Sequence, residues 1–73
     1  MDGIAEGSWG SWAIEVKTGS IQSAALVGLL EFTRRYPHCR PLVVCDHIGQ
    51  PAVERAGLQA TSWREFLLHG PPS

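Results

Sequence analysis

"WAIEVKT", residues 12–18, is the stretch on which the reading of this chain turns. Side chains alternate across a strand, so Trp12, Ile14 and Val16 share one apolar face, while Ala13, Glu15 and Lys17 share the other. That second face sets an acid and a base two residues apart. Upstream, Gly7-Ser8-Trp9-Gly10 has the two glycines that suit a hairpin turn, which predicts strands over 2–6 and 11–17. A symmetric turn places Glu6 opposite Ser11, Ile4 opposite Ala13, and Asp2 opposite Glu15.

Downstream, Thr18-Gly19-Ser20 ends the strand, and either Ser20 or Thr18 is the expected N-cap of a helix. Helical spacing over 21–36 joins Ile21, Ala24, Ala25, Leu29, Phe32 and Tyr36, with Leu26 and Leu30 widening the stripe. Val27 and Gly28 make the middle apolar enough to predict cover on more than one side. Pro37 stops the helix. Leu42–Cys45, an unbroken apolar run between Pro41 and Asp46, predicts a buried strand. Strand, helix and buried strand in succession predict a right-handed crossover, with the new strand parallel to the second.

Residues 51–56 suit a short helix between Pro51 and Gly57, and Leu58–Thr61 a brief strand-like extension. Ser62 with Glu65 forms a capping-box pattern that opens a helix over Trp63–His69, expected to bury Trp63, Phe66 and Leu67. Gly70-Pro71-Pro72 closes it. The expected fold is α/β: a small mixed sheet, made of an antiparallel hairpin plus one parallel strand reached by a helix crossover, with a short C-terminal helix.

At 73 residues the chain makes one domain, residues 1–73, with little surface to bury. It is 44% hydrophobic and 18% charged, too apolar for a disordered chain. No apolar run is long enough to span a bilayer and no signal-peptide pattern opens the chain, so a cytoplasmic protein without membrane contact is expected. A net charge of −1 argues against non-specific gripping of nucleic acid. Arg34, Arg35, His38 and Arg40 cluster either as cations at a helix C-terminus or as a phosphate-contact patch. Cys39 and Cys45, with His38 and His47, match no common zinc spacing, and reduced thiols are the expected state.

Two carboxylates opposed across an antiparallel pair lie about 5 Å apart and repel. A cation between them offsets that repulsion. Mg²⁺ takes one or two carboxylates and keeps several waters. Asp2, Glu15 and Lys17 therefore make a candidate hydrolytic set, in which two acids hold the metal and the lysine orients water or neutralises developing charge. The other reading of the same residues is a solvated polar face, with residue 2 fraying.

The longer string, "WAIEVKTGSIQSAALVGLLEFTRRYPHCRPLVVCD" followed by "LQATSWREFLL", resembles the C-terminal domain of a large group of prokaryotic AAA-type ATPases. That domain is similar to the restriction-endonuclease-like, PD-(D/E)XK, fold. The resemblance runs over nearly the whole chain: Ala13-Ile14-Glu15-Val16-Lys17, the helix with Leu30, Phe32, Tyr36 and Pro37, the Leu42–Cys45 strand, and Trp63, Phe66 and Leu67. It implies Glu15 as a metal ligand, Lys17 as the catalytic lysine, Val16 as a backbone-carbonyl ligand, and Asp2 as the motif's first acid. The superfamily's opening helix and strand and any G-x-x-x-x-G-K-[ST] ATPase motif are missing, so a truncated nuclease-like domain is expected.

Two functions follow. One is Mg²⁺-dependent phosphodiester hydrolysis of DNA. The other is a non-catalytic remnant that acts as an interaction or regulatory module, packing on an ATPase domain or on another copy of itself. Trp9, in the hairpin turn, is the expected exposed contact. A zinc or redox role for Cys39, Cys45 and His47 stands third.

Overall fold

The computed structural model describes residues 2–8 and 10–72. Trp9 lies outside the described residues. Four strands form one sheet in the order β1-β2-β3-β4: β1 (Gly3–Gly7), β2 (Gly10–Val16), β3 (Cys39–Val44) and β4 (Gln59–Thr61). β1 and β2 are antiparallel with Glu6 opposite Ser11 and Ile4 opposite Ala13, the expected register. β3 runs parallel to β2, Val16 lying opposite Val44, and β4 runs parallel to β3. The sheet thus has a second parallel strand where a strand-like extension was expected. The α/β mixed architecture is as read from the sequence.

The crossover from β2 to β3 differs from the expected single helix. After a bend at Gly19 the chain is still extended at Gln22 (ψ 149°), makes one 3-10 turn at Ser23–Leu26, and only then forms α1 (Val27–Arg35). Neither Thr18 nor Ser20 caps it. The reason lies in the loop. The Gly19 amide is tied to Asp46 across the sheet end, and Ile21 is drawn into the core, so helix cannot begin until both are passed. α1 buries Leu29 with Leu26 before it and Phe32 half-buried, whereas Val27, Gly28 and Leu30 are exposed. Cover on more than one side is therefore corrected to cover on one side.

α2 (Gln50–Arg55) starts with Pro51 in its first turn and is followed by Gly57 at φ +76°. α3 (Trp63–His69) opens as expected, the Glu65 amide donating to Ser62 Oγ at 3.1 Å. Its burial does not follow expectation. Phe66 is half-buried against the sheet, but Trp63 is 39% exposed and Leu67 76% exposed. With seven residues, α3 reaches the sheet along a single line and cannot bury a wide stripe.

Both faces of β2 and β3 are covered, whereas β1 stays largely exposed. On one face, Ala13, Val43, Cys39 and Cys45 pack with Ile21, Leu26, Leu29, Val53 and Leu58. On the other, Trp12, Ile14, Leu42 and Val44 pack with Phe66. The Arg40 guanidinium lies 4.2 Å from the ring centre of the buried Trp12, its neighbour across the β2–β3 pair. No helix among the described residues is long and apolar enough to cross a membrane.

Candidate active site

Glu15 lies on the helix-covered face, one pleat beyond Ala13. Its position corrects the reading of this face as a solvated polar one: Ala13 is fully buried and Glu15 only 5% exposed. A carboxylate at that depth needs a partner. Lys17 supplies one, its Nζ 3.3 Å from Glu15 Oε2. The E-x-K spacing explains the pair, because residues two apart on a strand point to the same side. Lys17 is the last β2-side residue tied to β3, its amide donating to the Val44 carbonyl at 3.0 Å.

Asp2 is held at the other side of β2. Its amide donates to the Ile14 carbonyl at 2.9 Å, and its Oδ2 accepts the Val16 amide at 2.6 Å. Along a strand, alternate residues turn their amide and carbonyl groups toward the same neighbour. Lys17 faces β3, so the Val16 carbonyl faces β1, the side on which the Asp2 carboxylate sits. Two carboxylates and a carbonyl are hard oxygen donors of the kind Mg²⁺ takes, so the donor types fit that ion. Among the described residues, no group of three or more His, Cys, Asp or Glu side chains gathers in a way that could hold a metal.

A third acid, not singled out from the sequence, stands nearby. Asp46, just past β3, accepts the Gly19 amide on Oδ2 at 3.1 Å. Its Oδ1 is buried without a hydrogen bond of good geometry. The Gly19 amide, with smaller help from the Gly49 and Ile48 amides and the His47 ring, holds the Asp46 carboxyl below its usual range, while burial works the other way. The sequence signal was present, since an Asp directly after a buried strand commonly ties the following turn.

The basic cluster lies elsewhere. Arg34 and Arg35 are in the last turn of α1, and His38 and Arg40 stand at the start of β3, where Cys39 pairs with Ser11. Five residue steps along β2 separate Ser11 from Val16, or about 17 Å. Cys39 and Cys45 are both buried and free, six residues apart along one strand direction and so about 20 Å from each other, which keeps them from sharing an ion. Burial, and then the charges of Asp46 and Glu54, push the Cys45 thiol pKa up. Two surface concavities, one lined by Phe32, Arg35 and Tyr36 and the other by Thr61, Glu65 and His69, do not include Glu15 or Lys17.

No protein-family model matches the chain, and no match was found among the curated proteins or the solved structures.

Proposed function

We propose that the chain is a nuclease-like α/β domain of the restriction-endonuclease-like kind found at the C-terminus of prokaryotic AAA-type ATPases, with Asp2, Glu15 and Lys17 as its hydrolytic set toward DNA. The observation that carries this reading is the buried Glu15 held by Lys17, with the Asp2 carboxylate bonded to the peptide between them. Glu15 offers one oriented carboxylate at the carboxyl end of β2. The Lys17 ammonium, with its side chain 36% exposed, can orient a water or neutralise charge developing on a phosphate. Asp2 and the Val16 carbonyl add hard oxygens on the adjoining edge. Polarisation of a phosphate oxygen and activation of a water are the chemistry that Mg²⁺ supplies when bound. A cytoplasmic setting goes with this reading and with the two free thiols.

The test is a Mn²⁺ titration followed by NMR. Paramagnetic broadening should begin at Glu15 and Val16 and vanish in Glu15→Gln. Silence at those residues at millimolar metal would sink the reading.

A second reading, a non-catalytic module that packs on an ATPase domain or on its own kind, is favoured by α3. Leu67 is 76% and Leu68 63% exposed on that helix. Sedimentation of the chain alone tests its self-association: a strict monomer at high concentration counts against packing on its own kind.

A further inference from the structure

We infer that Asp46 is a positioning residue for the Glu15–Lys17 pair, which it serves by extending the β2–β3 ladder one rung past Lys17. The inference rests on the hydrolytic reading of that pair for its purpose, but not for its geometry.

In a parallel ladder, the Lys17 amide bonds to the Val44 carbonyl, and the next amide on the same side, that of Gly19, would bond to the Asp46 carbonyl. The Asp46 carbonyl instead accepts the Gly49 amide at 3.1 Å as the chain turns toward α2. The Asp46 side chain takes its place, with Oδ2 3.1 Å from the Gly19 amide. The tie between the two segments therefore runs past Lys17 to a side-chain carboxylate that holds the amide two residues on. Gly19 needs this restraint, since its φ of +71° is a turn conformation that nothing in the strand enforces. The loop is also pressed from the side: Gly49 lies so close to Ile21 that a Cβ there would come within 2.5 Å of Ile21 Cδ1. Asp46 and Gly49 together fix the exit path of the chain directly after Lys17. The ammonium is thereby kept over Glu15 instead of following a mobile loop into solvent.

The experiment uses the whole chain labelled for NMR, as wild type, Asp46→Ala and Asp46→Asn. Two signals report: exchange of the Gly19 amide, and the side-chain resonances of Lys17 Nζ and Glu15 Cδ. In Asp46→Ala, Gly19 exchange should rise about fivefold, the factor expected for one lost hydrogen bond, and both side-chain resonances should shift from their wild-type positions. Asp46→Asn keeps an acceptor oxygen and should return part of both effects. Faster Gly19 exchange with unmoved Lys17 and Glu15 resonances would overturn the inference, leaving Asp46 as a loop tie only. Because neither signal needs metal, this failure is distinct from failure of the hydrolytic reading, which is a wild-type chain silent to Mn²⁺.

Discussion

Lys17 Nζ stands 3.3 Å from Glu15 Oε2, with the acid's side chain 7% exposed and the base's 36%. The pair sits between two regimes. Removing one partner of a buried pair costs about 3–5 kcal/mol, whereas surface pairs are worth about 0–1 kcal/mol. Lys17→Met should lower stability by about 1–3 kcal/mol, because it takes a cation from beside a buried acid. Glu15→Gln should cost less, since the freed ammonium reaches water. A urea-denaturation cycle with the double variant checks this. Simple additivity of the two losses would show that the pair is not coupled.

Asp46 gives the chain a pH-dependent acid limb. Its folded pKa lies below the unfolded value, so its contribution to stability is present above the unfolded value, about 3.9. That contribution is lost as pH falls through the folded pKa. Asp46→Asn should therefore be destabilising at neutral pH and converge on wild type in strong acid. Urea midpoints measured across that range test the sign.

Cys45 works in the opposite direction. Its raised folded pKa means that its contribution is full below the unfolded pKa and is lost as pH rises through the folded value. The native thiol stays protonated and covered at neutral pH. An aromatic disulfide reagent should react with neither Cys39 nor Cys45 until denaturant is added. Prompt release of colour from the native chain would contradict the burial.

Gly49 is small because Ile21 occupies the space beside it. Gly49→Ala keeps an allowed backbone (φ −83°) but forces Ile21 to give way, at a cost of about 1–3 kcal/mol. Ile21→Val removes the Cδ1 that is approached most closely, so the double variant should be more stable than Gly49→Ala alone. Thermal unfolding of the three variants decides the point.

Legibility in the sequence followed the reach of each signal. The hairpin register could be read because two glycines and strict alternation fix it locally, as the Glu6–Ser11 and Ile4–Ala13 pairs show. The crossover could be read because a buried strand such as Leu42–Val44 needs a parallel neighbour. The late start of α1 could not be read. It is set by Asp46 reaching Gly19 across 27 positions of sequence, a contact no local pattern announces. The exposure of Leu67 was hidden for a related reason, since apolar spacing marks a stripe but not how much surface lies opposite it. At the site, the E-x-K spacing gave the Glu15–Lys17 contact directly. The depth of Glu15 came from helices packed above it, and the Val16 amide as the partner of Asp2 came from a ladder completed by a side chain.

The parallel pairing of β2 with β3 also fixes when the acid leaves water. Hairpins close in roughly 1–10 μs, using neighbours in sequence, so β1 and β2 can zip early. Pairing Ser11 with Cys39 must wait for a long excursion to return, and such non-local closures are the slow ones. Glu15 shares its face with Ala13, which packs into the layer that this return lays down. The buried charge is thus a late product of assembly, and its cost falls on the final closure, not on the strand that carries it.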